Sequence, residues 1–119
     1  MKKLMLLLVV VLAGCAQSTP ESAVTAYFEA LVAHDEAKLT EVSCASWEAQ
    51  AATQAASFRA MNPTLRDMTC TAGQAVDGFT PVTCQGEIVT EYNGETREWP
   101  LETYRVVQED GAWRFCGLG

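Results

Sequence analysis

The stretch TCTAGQAVDGFTPVTC, Thr69 to Cys84, has a turn signal at its centre and a cysteine near each end. Asp77-Gly78 between runs of β-forming residues is a strong hairpin signal, because Asp and Gly reach the left-handed backbone at small cost. Cys70 and Cys84 are equidistant from Asp77. A hairpin of 65–76 against 79–92 with a three-residue loop sets them opposite each other. Their side also carries Met68, Ala72, Val82 and Ile88, so it is the side expected to meet a core.

Working outward, Asn93-Gly94 and Asp110-Gly111 repeat the signal and mark two more strands, 95–108 and 112–118. Upstream the periodicity changes. Ser18-Thr19-Pro20-Glu21 reads as a helix entrance, with a capping hydroxyl, proline in the first turn and an acid at the positive end of the dipole. Val24, Tyr27, Phe28, Leu31 and Val32 then form one helical stripe. His34-Asp35 interrupts it, and Asp35 is placed to cap a second short helix carrying Leu39 and Val42. Ser46 is placed to cap a third helix, with Trp47, Ala51, Ala55, Phe58 and Met61 as its stripe and Asn62-Pro63 as its stop. Three helices followed by a four-stranded antiparallel meander is an α+β layer, with helices on one face of the sheet. Pro100 suits a bulge, which leaves open whether Tyr104 and Val106, or Leu101 and Val107, face the core.

Residues 1–15 decide where such a domain would work. Met1-Lys2-Lys3 is a basic start, and Leu4 to Ala13 is uncharged and rich in Leu and Val. A spanning helix needs roughly 20 apolar residues, so this run is short for a membrane span and fits a secretory signal peptide. Leu12-Ala13-Gly14-Cys15 resembles a bacterial lipobox. That resemblance implies cleavage of 1–14, a diacylglycerol on the Cys15 thiol, a lipidated tether over 15–19, and one domain over 20–119 on the extracytoplasmic face of the envelope. The partner so implied is the membrane, held through lipid at Cys15.

Export places the remaining cysteines in an oxidising space, where an even set reads as disulfides. Cys70 with Cys84 follows from the hairpin, and Cys44 with Cys116 from what remains. No two of the four have zinc-ligand spacing and His34 is the only histidine, so neither a metal nor a cofactor is expected. The chain carries a net charge of −7, and loss of Lys2 and Lys3 makes it more acidic. Nucleic acid is excluded as a partner on that ground.

The order of elements resembles the nuclear transport factor 2-like fold, a cone-shaped α+β family that includes ketosteroid isomerase and polyketide-cyclase-like enzymes. Ala26-Tyr27-Phe28-Glu29-Ala30-Leu31, with His34-Asp35 and Leu39, is similar to the opening of small bacterial lipoproteins of that superfamily. Tyr104-Arg105-Val106-Val107 and Gly111-Ala112-Trp113-Arg114-Phe115 are similar to its closing hairpin. The resemblance implies a conical pocket, with Tyr27, Leu31, Phe58 and Trp99 as candidate lining.

An isomerase-like site would need a buried carboxylate and a hydrogen-bond donor for an enolate oxygen. Asp67 is the candidate base, with Tyr27 or Tyr92 as donor, but Asp67 is out of phase with Met68 and Cys70 and is expected to face water. His34-Asp35 falls in an interhelical bend, where capping accounts for the aspartate. Glu87, Glu91, Glu98 and Glu102 are expected to share a solvated face of the second hairpin. No catalytic constellation emerges. The reading is a lipid-anchored, non-catalytic domain that binds a small apolar ligand or an envelope protein; the alternatives are an isomerase or cyclase-like enzyme and a cystatin-like inhibitor or regulatory module.

Overall fold

The computed structural model describes residues 18–119; the residues 1–15 that carry the expectation of a signal peptide, lipobox and lipidation at Cys15 lie outside that range. Three helices, α1 (Pro20–Val32), α2 (Glu36–Glu41) and α3 (Glu48–Phe58), precede five strands. These are β1 (Thr64–Ala72), β2 (Thr80–Tyr92), β3 (Glu95–Pro100), β4 (Thr103–Glu109) and β5 (Ala112–Leu118).

Local chemistry fixes the helix starts. Thr19 caps α1 in a reciprocal box with Ser22, whose backbone N–H donates to the threonine hydroxyl at 3.1 Å. Asp35 caps α2 by accepting from the Lys38 N–H at 3.1 Å. Ser46 does not cap α3. A single 3-10 turn over Ala45–Trp47 leads into that helix, and the Ser46 hydroxyl lies 3.3 Å from the Cys44 sulfur. His34 is exposed, with φ at 58°.

All three hairpin turns have both central residues at positive φ: Asp77 and Gly78, Asn93 and Gly94, Asp110 and Gly111. This is the type I′ geometry that matches strand twist. The first turn is a two-residue turn, not the expected three-residue loop. Val76 and Phe79 exchange hydrogen bonds of 2.8 and 2.9 Å, and irregular residues between Gly73 and Val76 restore the pairing of Cys70 with Cys84. Both disulfides form, Cys70–Cys84 across β1 and β2 and Cys44–Cys116 onto β5. Their sequence separations of 14 and 72 correspond, in the chain-entropy model, to about 3 and about 4 kcal/mol of stabilisation.

The third strand of the expected meander is split in two. β3 pairs with the far half of β2 and β4 with its near half, so five strands stand where four were expected. Leu101 and Glu102 form the break. The Leu101 N–H donates to the Gly86 carbonyl at 2.9 Å, and the Cys84 N–H donates to the Glu102 carbonyl at 3.0 Å. The extra step in phase resolves the register question in favour of Tyr104 and Val106 on β4 and brings Leu101 inward as well: all three are buried, while Val107 is half-buried.

On the opposite side of Gly86, β1 has its own irregularity between Arg66 and Thr69, where Asp67 takes φ of 54°. A Cβ on Gly86 would lie 2.5 Å from the Asp67 carbonyl oxygen, and Gly86 itself has φ of 100°. Paired bulges bend a sheet. Here they bend it around α1, whose Val24, Tyr27, Phe28 and Leu31 fill the core with Val82, Val106 and Phe115.

The outer edge of β5 is also closed. Cys44 N–H donates to the Phe115 carbonyl and Phe115 N–H donates to the Val42 carbonyl, both at 2.8 Å, so the segment after α2 adds to the sheet as a short parallel bridge.

Gly86→Ala should destabilise the fold by about 2 kcal/mol or more, through backbone strain and collision with Asp67. Urea unfolding measures this; an unchanged midpoint would show that the bend does not need a glycine.

Candidate functional site

A cavity of about 300 Å³ opens between α3 and the concave face of the sheet. Its walls come from every layer: Phe28 of α1, Trp47 and Gln54 beside and on α3, Ile88 of β2, Trp99 of β3, and Tyr104 and Phe115 of β4 and β5. Leu101 and Glu102, the two residues of the strand break, also face it. The interruption at Pro100 therefore builds one wall of the site.

Tyr27 lies beneath this cavity and organises it. Its ring is fully buried and stacks on Phe115, with centroids 3.7 Å apart and planes 10° from parallel. Its hydroxyl donates to the Gln54 side-chain carbonyl and accepts from Trp47 Nε1 at 3.1 Å. Burial pushes this phenol up to about 12, against the opposing effect of the Trp47 bond. The relay fixes Gln54 with its oxygen turned toward Tyr27. The Gln54 amide N–H₂ then has no partner among the described residues and is free to donate to a ligand.

Tyr104 supplies a second donor. Its oxygen accepts the Glu102 backbone N–H at 3.0 Å, and its own proton has no acceptor among the described residues. Burial, opposed by that bond, raises its pKa above the ordinary tyrosine value. Gly117, at φ of 94°, lets the Trp47 ring approach β5: a Cβ there would sit 2.6 Å from the indole.

The four residues singled out from sequence end in different places. Trp99 lines the cavity, and Tyr27 lies behind the wall. Leu31 is buried in the core, and Phe58 touches Trp99 edge-on from the other side, with centroids 6.3 Å apart. Asp67 is exposed in its bulge and Tyr92 is 57% exposed, so neither joins Tyr27 in a catalytic group.

The acidic face differs from its expected form as well. Glu87 and Glu98 lie on one face with Arg66 between them, which donates to Glu87 at 2.8 Å and also pairs with Glu98. Glu102 has moved to the cavity. Gln54, Leu101 and Tyr104 were missed as lining. Gln54 is one of several polar residues on an alanine-rich helix, and its role appears only where its side chain meets Tyr27.

Tyr27 makes stability fall at high pH. Its neutral form is favoured by the fold, so this contribution is complete below about pH 10. It is then lost as the pH rises toward the folded value of about 12, because the unfolded chain ionises first. Tyr27→Phe should therefore be less stable near neutrality by about 1 kcal/mol and lose less stability over that alkaline window. Urea midpoints at several pH values measure both effects; an equal alkaline loss in wild type and variant would contradict the burial of this phenol.

The sequence matches no protein-family model, and no curated protein matches it. Among solved structures, Aln2 from a Streptomyces species is similar at 17% identity and a TM-score of 0.54, over 86% of this chain and 91% of that one. At this identity the likeness carries the fold alone: an α+β arrangement compatible with a distant nuclear transport factor 2-like cone.

Proposed function

We propose that the protein is a lipid-anchored, extracytoplasmic binding domain that holds a small, mainly apolar molecule in this cavity without transforming it. One observation carries the reading: an aromatic and aliphatic cleft of about 300 Å³ with two uncommitted donors, Gln54 and Tyr104. Apolar walls with a few placed polar groups are what small-ligand sites have in common. The ligand that fits is largely apolar and bears an acceptor oxygen. The signal-like residues 1–14 and the lipobox at Cys15 support the tether, and two disulfides fit an oxidising compartment.

The isomerase or cyclase-like reading draws on Glu102, whose residue faces the cavity next to Tyr104. General-base chemistry on a carbon acid calls for a carboxylate sheltered from water. Glu102 is exposed, which favours binding over catalysis.

2-Naphthol, a neutral aromatic with one oxygen, should bind once per chain and shift the indole N–H resonance of Trp47. Leu118 is 58% exposed on the cavity rim, so Leu118→Trp should narrow the cleft without disturbing the core. The expected result is at least a tenfold loss of affinity with unchanged thermal unfolding. Saturation at the same concentration in both proteins would reject the cavity as the site. Separately, Cys15→Ser should release the protein from membranes; a variant that still sediments with them would defeat the lipid anchor.

A further inference from the structure

Beyond the end of α3, the helix-side face of the β2–β3 arm carries a second set of side chains, which shares only Trp99 with the cavity. Met61, Thr90, Tyr92, Glu95, Arg97 and Trp99 surround a groove of about 280 Å³. Thr90 is buried at its base, and Met61 is fixed beside it, its carbonyl accepting the Glu91 N–H at 2.7 Å. We infer that this groove is a second binding site, for a neutral oligosaccharide.

The first argument is preorganisation. Trp99 is 39% exposed yet held from three directions. Its Nε1 donates to the Thr90 hydroxyl at 2.9 Å, Phe58 meets it edge-on, and the Arg97 guanidinium lies 5.8 Å from the ring centroid. An indole fixed in this way offers a flat surface to a ligand without losing side-chain entropy on binding. Tyr92, more exposed still, stands further along the same face. Trp99 is paired with Ile88, four residues before Tyr92 on β2. At the rise of a strand this separates the backbone positions that carry the two rings by roughly 13 Å, the span of two to three linked sugar rings.

The second argument is the polar chemistry between those rings. Arg97 donates only, Glu95 accepts only, and the Tyr92 hydroxyl does both. A ligand that serves all three needs donors and acceptors along its edge and C–H faces for the aromatic rings. One cation and one anion balance within the groove, while the chain as a whole carries −7. A free anion is repelled by the whole molecule, and a cation meets Arg97 at the platform. A polyproline segment has the C–H faces but only carbonyl acceptors, which leaves Glu95 unserved. A sugar ring, with hydroxyls around an apolar face and no charge, satisfies every group.

The test uses the full-length chain in a detergent without sugar headgroups, titrated with three neutral trisaccharides: triacetylchitotriose, cellotriose and maltotriose. At least one should change tryptophan emission saturably in the millimolar range or below. Tyr92→Ala and Arg97→Ala should each weaken that binding at least tenfold, and with Tyr92→Ala, an exposed position outside the cavity lining, 2-naphthol should still bind as in wild type. Loss of 2-naphthol binding in Leu118→Trp with trisaccharide binding kept would separate the two sites. No saturable change with any of the three sugars overturns the proposal. So does binding of a proline hexapeptide in their place, or trisaccharide binding that Leu118→Trp abolishes and Tyr92→Ala leaves intact.

Discussion

Gly86 has no room for a side chain. The bulge of β1 presses its carbonyl oxygens against one side of it, and the carbonyl of Gly86 takes up the Leu101 N–H on the other. At this point the central strand β2 is flanked by two faults at once, the residue pair Asp67–Met68 in β1 and the pair Leu101–Glu102 between β3 and β4. A flat sheet could not enclose α1. The double fault bends it, and the concavity so formed is both the core and the cavity.

The same fault sets the chemistry of the site. It advances the phase of the third strand so that Leu101 and Tyr104 both face inward, which an unbroken strand forbids because an odd step along a strand changes face. Tyr104, which lines the cavity, then receives the Glu102 N–H released by the break and keeps a proton without an acceptor among the described residues. On the facing wall, Tyr27 joins Trp47 to Gln54, so that a buried hydroxyl is satisfied on both sides and the Gln54 oxygen is engaged while its amide N–H₂ has no partner among the described residues. Two tyrosines thus have different tasks. One is committed to the interior and the other is left with a proton to give.

Disulfides and strand pairing share the work at the rim. Cys44–Cys116 fastens the segment after α2 beside β5, where backbone hydrogen bonds already close the edge, and Cys70–Cys84 spans the β1–β2 hairpin. The β2–β3 arm is held by strand pairing without a disulfide. Its outer face carries the Arg66 pairing with Glu87 and Glu98, and its inner face carries the exposed Tyr92 and Trp99.

Turn residues and periodicity were legible in the chain by itself: Asp77-Gly78, Asn93-Gly94 and Asp110-Gly111 can hardly do anything else, and the spacing of Val24, Tyr27, Phe28 and Leu31 admits a helix only. These are local constraints, written in φ angles and in which residues share a face; the pairing of Cys70 with Cys84, expected from a three-residue loop, depends instead on the irregular residues between Gly73 and Val76. The expectation of an exported, lipidated beginning is also a local reading, and it rests on residues outside the described structure. What tertiary structure alone decided was the split of the third strand, the missing cap at Ser46, and the gathering of Gln54, Leu101, Glu102 and Tyr104 around one cavity. Each depends on a residue far away in sequence: Gly86 and Asp67 for the bend, the Cys44–Cys116 bond near Ser46, Tyr27 for Gln54. A pattern of neighbours along a chain contains no information on those meetings, because they are set by packing between elements.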